Sequence, residues 1–493
     1  MDRRQFMAAT GAVGAGLMGL SEAAAKEAGD AAPPATPRRE PKATLEQGLS
    51  DLCAAFRYDT LPASSVQAVK RLLLDTLGCG YGALGAPPAV LAEKVFRATY
   101  ATRDCASVLG NAQLIGTEGA TLINGILIRY QDMNDIYVGR QPTHPSELIP
   151  SAIAACEEAG RSGRDLIEAI AVGYEATIRL NDAMPFGDRG FYSTSAGGYV
   201  IPLVAGRAMR APAEQVVQAM GIAGPRQFAL NAVTRGDLSM MKALCYPHTA
   251  MDAIFALRLA AAGVTGAPGS LDWFVANVKP SDPDFGIDLD PTRHLVEKVG
   301  LKRFPVQYEI QSVAEAGVNL HGRIGDRISR IREIVVGTYP DTKGRVADPP
   351  KYAPQNRETA DHSLPISAAM ALIDGDVTPK QFHDERWRDR DVLTLAAKIR
   401  VETADALVAK RPKGRGATMD IRFDDGQTLS EIVEVPEGDA ERPLSRGALE
   451  HKFMLFTAPV LGDAKARRIV SLVDELDQIA DVRTFTAALR GDG

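Results

Sequence analysis

The sequence predicts a mostly α fold, a large all-helical body joined to a smaller α+β domain. Three observations carry that expectation. Ala-rich segments with apolar residues at helical spacing run from Leu45 to about residue 290. After about Lys298 the texture changes, and ATMDIRFDDGQTLSEIVEVP alternates Met419, Ile421 and Phe423 before an Asp-Gly turn and Leu429, Val433 and Val435 after it, the pattern of a β-hairpin. From about residue 442 helical periodicity returns in SRGALEHKFMLF and ARRIVSLVDELDQI. At 493 residues the chain is long enough for more than one domain.

The N-terminus reads as an address rather than as fold. Arg3 and Arg4 precede a mildly apolar, Gly-rich run from Met7 to Leu20 and the small residues Ala23 to Ala25. This order predicts a twin-arginine signal peptide over 1–25 with cleavage near Ala25, and hence a periplasmic protein. The apolar run is too short to span a bilayer comfortably, so no stable membrane insertion is expected once the signal is removed. A Pro-rich linker follows over 26–43. Gly14, Gly16 and Gly19 spell G-x-G-x-x-G, but no strand precedes them, and a dinucleotide site is excluded.

The body, 44–297, opens with two capping boxes, Thr44 with Gln47 and Ser64 with Gln67. The second predicts a helix with Val66, Val69, Leu73 and Leu77 on one face, ending in the glycines of GCGYG. Further helices are expected at TLINGILIRY, PSAIAACEEAG, RDLIEAIAVGYEATIRL, GYVIPLVAGRAMR, AEQVVQAMGIAG and TAMDAIFALRLAAAG. The α+β domain, 298–441, combines the hairpin with a strand at REIVVGTYP and helices at SVAEAGVNLHGRI and PISAAMALIDG. Residues 442–493 form helices able to return to the body.

Composition excludes several functions. A net charge of -6 without a basic block or interleaved aromatic stripe argues against nucleic acid as a partner. Five scattered cysteines, with no C-x-x-C pair, imply neither a disulfide framework nor a zinc site, and they read as small core residues.

Polar residues concentrate in four stretches. DMNDIYVGRQPTHPSE brings Asp132, Asn134 and Asp135 close in sequence to His144, and a carboxylate beside an imidazole suits general acid or base work; the same residues also fit a loop of Asx turns that caps the next helix. RGDLSMMKALCYPH places Lys242 in an apolar setting, as a carboxylate holder or as a snorkelling surface lysine. LKRFPVQYEIQS holds Lys302, Arg303 and Gln311 at a domain joint. RETADHSLP gathers Arg357, Asp361 and His362 before a helix, either to bind an anion or to cap that helix. None of the four has metal-ligand spacing, and no Gly-rich phosphate loop or G-x-S-x-G elbow is present.

Taken in order, these stretches resemble the MmgE/PrpD family over nearly the whole mature chain. LLLDTLGCGYGAL is similar to the family's early Asp-Thr-Leu-Gly helix, HPSELIPSAIAACEEAGRSGRDLIEAIAVGYEATIRL to its His-Pro-Ser block, and GDAERPLSRGALEHKF to its Pro-Leu-Ser linker. DMNDIYVGRQPTHPSE and NRETADHSLPISAAMALIDGDV lean toward the 2-methylcitrate dehydratase branch. The resemblance implies an active-site cleft between the body and the smaller domain acting as a lid, and a homodimer formed through the body. It implies a small carboxylic acid as substrate and requires no cofactor and no metal. It places Asp132, His144, Lys242 and Lys302 on catalytic positions: His144 as acid or base, Asp132 as its orienter or partner, and the lysines as carboxylate anchors. Asn134, Asp135, Tyr192, Arg303, Gln311, Asp361 and His362 are the substrate-binding candidates.

Three positions depart from the family pattern: Ile136 stands for a threonine, and Tyr192 and Glu309 for histidines. A site that loses these polar groups changes the substrates it can hold. The expected chemistry is proton abstraction next to a carboxylate with loss of the neighbouring hydroxyl as water. Epimerisation or decarboxylation of a polycarboxylate or amino-dicarboxylate on the same site is an alternative, as is a periplasmic protein that binds a carboxylate without turning it over.

Overall fold

A computed structural model describes residues 43–101, 103–278, 286–409 and 415–491. The expected signal peptide and nearly all of the linker lie outside the described residues. From Thr44 onward the chain forms one compact unit. Helices of eight or more residues are numbered below.

The first helix, α1 (Leu45–Ala55), is capped by Thr44, whose hydroxyl accepts the Gln47 N–H. The Gln47 side chain turns to Asp51 instead of reaching back, so the expected box is half made. α2 (Ala63–Tyr81) starts from Pro62 and takes Ser64 into its first turn, which corrects the second capping box. Both Ser64 and Ser65 hydroxyls bond Glu297. As expected, α2 stops within GCGYG: its last residue is Tyr81 and its C-cap is Gly82. A Cβ on Gly78 would lie 3.3 Å from the Phe453 Cα, and one on Gly80 would lie 2.4 Å from Leu109 Cδ1. Gly78 and Gly80 therefore also let neighbouring segments approach the end of the helix.

The body continues through α3 (Pro87–Thr99), a two-residue antiparallel pair β1 (Ala106–Ser107) and β2 (Leu114–Ile115), α4 (Thr117–Tyr130), α5 (Ile149–Glu158), α6 (Gly163–Ala183), α7 (Gly197–Met209), α8 (Ala213–Ala223), α9 (Met241–Ala261) and α10 (Ser270–Asn277). α9 begins well ahead of the TAMDAIF segment and includes Pro247, which puts Lys242 in its first turn. Pro247 packs on α4, where a Cβ at Gly125 would be 2.8 Å from the ring. Buried apolar side chains between Leu49 and Leu301 form one core.

A second core runs from Phe304 to Val433. Here α11 (Gln311–Ile324) and α12 (Leu364–Asp374) pack together, and α11 covers a four-stranded sheet. Its strands are β3 (Ile331–Thr338), β4 (Ile399–Thr403), β5 (Ala417–Phe423) and β6 (Thr428–Val433), in spatial order β4-β3-β5-β6. β3 and β4 are parallel; the other pairs are antiparallel. In β5 the alternating Ala417, Met419, Ile421 and Phe423 are buried, so the expected hairpin face is the core face. β4 went unrecognised in the sequence because only Ile399 and Val401 alternate within its five residues.

After Val433 the chain returns to the body. α13 (Arg446–Leu461) packs on α2, and α14 (Asp463–Asp474) follows. Leu449, Phe453, Ile469, Leu472 and Phe485 join the first core. Among the described residues no helix is long and apolar enough to cross a membrane.

Candidate active site

α4 delivers the first charged group. Arg129, in its last turn, is 2% exposed, and three residues later Asp132 turns the chain with φ of 52°. Asp is one of the few non-glycine residues that tolerates this left-handed backbone, and such conformations gather at functional sites. The Asp132 carboxylate accepts from Arg129 and lies 3.1 Å from Lys302 Nζ and 3.5 Å from Lys242 Nζ. Lys302 also donates to the Asp132 carbonyl at 2.8 Å. Burial alone would raise the Asp132 pKa, but Lys242, Lys302 and Arg129 outweigh it and hold the carboxyl well below the ordinary range. Burial, opposed by Asp132, brings the Lys302 ammonium down to about 8.

The cluster extends into the second core. Lys242 Nζ is 3.2 Å from Asp361 Oδ1, and Arg357 Nη1 is 3.1 Å from Asp361 Oδ2. His362 Nδ1 lies 2.5 Å from Asp361 Oδ1, and since an ionised carboxylate only accepts, Nδ1–H donates to it. Burial, then Lys242, lower the His362 pKa to about 4, so this ring is neutral. These contacts answer the open readings of two stretches: Lys242 is 3% exposed and is no surface lysine, and RETADHSLP both enters the ion cluster and caps α12 through Ser363.

His144 is held differently from the sequence expectation. Its Nδ1 lies 2.5 Å from the backbone carbonyl of Asp135. A carbonyl oxygen only accepts, so Nδ1 carries the proton and Nε2 is the basic nitrogen. Burial, then the charges of Arg129 and Lys302, push its pKa well below the usual value and keep the ring neutral. Asp132 therefore does not orient His144, because its carboxylate is engaged by three cations. The Asp135 carboxylate, the other candidate, accepts from Ser146 Oγ at 2.6 Å and Tyr174 OH at 2.7 Å and is pushed up to about 6 by burial.

These groups open onto a cleft of about 380 Å³ between the two cores. Asp132, His144, Tyr192, Lys302 and His362 line it. Tyr192 OH accepts from Arg129 Nη2 at 3.2 Å, and burial first of all raises its pKa to about 12, so it keeps its proton. Lys242 and Asp361 sit beside the lining, tied to Asp132 and His362. The remaining candidates do not line the cleft. Asn134 donates to Ser146 Oγ at 3.0 Å, Gln311 bonds the backbone of Phe304 and Val306, and Arg303 pairs with Glu437 at 2.7 Å. Their role is to fix the loops that carry His144 and Lys302. Ile136 and Glu309 do line it.

Sequence reasoning missed two sets of residues. Arg129, Arg140, Arg235, Arg345 and Arg415 all line the cleft. They come from five separate segments, so spacing gave no signal; only the end of α4 next to Asp132 pointed to Arg129. Lys452 of α13 was also missed. Its Nζ bonds Asp75 Oδ1 at 2.7 Å, the Lys302 carbonyl at 2.9 Å and the Met133 carbonyl at 3.1 Å, clamping both site loops from beneath. Among the described residues no group of three or more His, Cys, Asp or Glu is arranged to hold a metal ion. The arrangement can bind an anion between fixed cations and present a neutral imidazole to it.

Comparison with known proteins identifies the family. The chain is 23% identical to a cis-aconitate decarboxylase-like protein of Aspergillus oryzae over 92% of its own length and 98% of the relative's. It is 26% identical to the cis-aconitate decarboxylase of Homo sapiens over 86% of the chain and 90% of the relative. With the 2-methylcitrate dehydratase of Escherichia coli (strain K12) it shares 25% identity over 75% of the chain and 81% of the relative. The MmgE/PrpD N-terminal domain matches residues 47–273 and the MmgE/PrpD C-terminal domain residues 304–478, the two segments that carry the walls of the cleft, and the chain belongs to the MmgE/PrpD family.

Proposed function

We propose that this protein is a lyase that moves a proton at the carbon next to a carboxylate of a polycarboxylic acid. The observation that carries the reading is the neutral His144, fixed through Nδ1 on a backbone carbonyl and lining a cleft with Lys302 and Arg129. In the first reading the substrate is a 2-methylcitrate-like hydroxy acid. His144 Nε2 takes the proton from carbon, Lys302 and Arg129 stabilise the negative charge that develops on the carboxylate, and the hydroxyl leaves with a proton as water. The protonated Tyr192 phenol is suited to give that proton.

A second reading is decarboxylation of an unsaturated polycarboxylate, favoured by the greater coverage of the cis-aconitate decarboxylases among the relatives. There the C–C bond to one carboxyl breaks, carbon dioxide leaves, and the electron pair takes a proton at carbon. Ile136, which places an apolar side chain in the lining, suits a carboxylate that must lose its charge. Incubating the purified protein with hydroxy-tricarboxylates and with cis-aconitate separates the readings. New ultraviolet absorbance from a hydroxy acid marks dehydration, carbon dioxide release marks decarboxylation, and deuterium entering at carbon without either marks epimerisation. Thermal stabilisation with none of these signals would mark a binding protein and overturn the lyase reading.

We also propose export to the periplasm by the twin-arginine route and assembly as a homodimer. A reporter fused after Ala25 is expected to lose periplasmic signal when Arg3 and Arg4 become Lys, and light scattering of the mature chain gives the assembly state.

A further inference from the structure

Three guanidinium groups, Arg345 and Arg415 on the lid side and Arg235 on the body side, line the cleft together with Glu309, which holds Arg345 only loosely. Arg345 Nη1 lies 3.4 Å from each Glu309 oxygen, and its Nη2 lies 3.8 Å from Asp341. Charge-assisted pairs normally close to about 2.7–2.9 Å. Arg345 Nε and Arg415 Nε are buried without a hydrogen-bond partner among the described residues. Arg235 lines the cleft from the body side, where burial and then the charge of Arg345 disfavour its charged form. Guanidinium groups do not shed their charge in proteins, so like charges facing each other across a cleft call for an anion between them. Glu309 is 5% exposed, and both it and Arg345 lie in the segment from Phe304 to Val433 that builds the second core, so their pairing does not join the two cores. Asp341 and Asp188 also line the cleft and balance part of the charge.

We propose that Arg345, Arg415 and Arg235 form a second carboxylate subsite, in which Glu309 occupies Arg345 until a carboxylate of the substrate, remote from the reacting carbon, displaces it. The inference rests on the reading of the cleft as a polycarboxylate site and names its substrate class: an acid with at least two carboxylates, one held at the Lys302 end and one at the lid wall. A histidine at position 309 would leave Arg345 without this internal competitor. The glutamate therefore makes occupancy of the wall conditional on an anion that binds the arginines better than Glu309 does.

Calorimetric titration of the mature chain with propane-1,2,3-tricarboxylate and with propionate tests this, with melting curves recorded for every variant. Arg345→Gln is expected to weaken tricarboxylate binding about tenfold or more, the scale of a lost charged hydrogen bond, while leaving propionate unchanged. Arg415→Gln should act in the same direction, and Glu309→Gln should tighten the tricarboxylate several-fold. Equal losses for both ligands, a weaker tricarboxylate in Glu309→Gln, or no tricarboxylate binding by the wild type would overturn the subsite. Its failure is separable from that of the lyase reading. Selective tricarboxylate binding without turnover of any polycarboxylate would end the lyase reading and leave the subsite standing, whereas turnover indifferent to Arg345→Gln would do the reverse.

Discussion

The floor of the cleft and its lid wall draw on the same residue types and use them in opposite ways. On the floor, Asp132, Lys242, Lys302 and Asp361 are at most 3% exposed and interlock, each ammonium within 3.5 Å of a carboxylate. At the wall, Arg345 and Asp341 are 29% and 45% exposed at their side chains, and the ion-pair contacts of Arg345 stretch to 3.4 and 3.8 Å. Charges fully withdrawn from water must be matched one against another, and so they fix geometry. A partly exposed guanidinium held by long contacts, as Arg345 is, can exchange one carboxylate for another, and so it can select a ligand.

Removing one carboxylate from each region tests the difference most severely. Asp132→Asn leaves Arg129, Lys242 and Lys302 facing one another, and unfolding free energy is expected to fall by about 3–5 kcal/mol, with turnover lost. Asp341→Asn should cost less than about 1 kcal/mol. Equal costs in urea denaturation would erase the distinction.

His144→Ala is the next largest effect: a loss of roughly 10²- to 10⁴-fold in turnover with a nearly unchanged melting curve. A collapse in stability with activity per folded molecule retained would make this histidine structural. A smaller effect follows from Lys302. Because its ammonium gives up its proton near pH 8, kcat/KM is expected to decline above that pH. Lys302→Arg should move the decline upward, and a limb that stays in place would exclude Lys302 as its source.

A further effect is on stability in acid. The His362 pKa is about 4 in the folded protein against an ordinary 6.5. Between those values the unfolded chain takes up a proton that the native state refuses, so stability falls as pH drops through this window, by up to about 3 kcal/mol. His362→Gln should flatten that part of the curve. The depressed Asp132 and Asp361 act in the same sense but at lower pH, where their stabilisation is lost as they protonate.

What the sequence made legible was whatever repeats locally. Long apolar periodicities located the body helices, and the alternation of Met419, Ile421 and Phe423 located the hairpin. The GCGYG glycines marked the end of α2, capped at Gly82, but not the close packing of Gly78 on Phe453 and of Gly80 on Leu109, which only the fold supplies. The Ser64 cap failed because Glu297 competes for the serine hydroxyls. At the site, the polar loop from Asp132 to His144 was conspicuous between two helices, yet the partner of each group was not. Asp135 offers His144 its carbonyl rather than its carboxylate, and sequence patterns do not distinguish these. The wall arginines were illegible for the same reason: each is an ordinary surface residue until the fold gathers them.

All of the proposed chemistry turns on His144 standing neutral with its proton on Nδ1, leaving Nε2 basic toward the substrate. Long-range proton–nitrogen spectra of protein labelled with ¹⁵N-histidine measure this directly, and His144→Gln assigns the signal among the seven histidines of the chain. A neutral ring with an Nδ1–H pattern that persists at pH 6 is expected. An imidazolium at that pH, or a proton on Nε2, would contradict it.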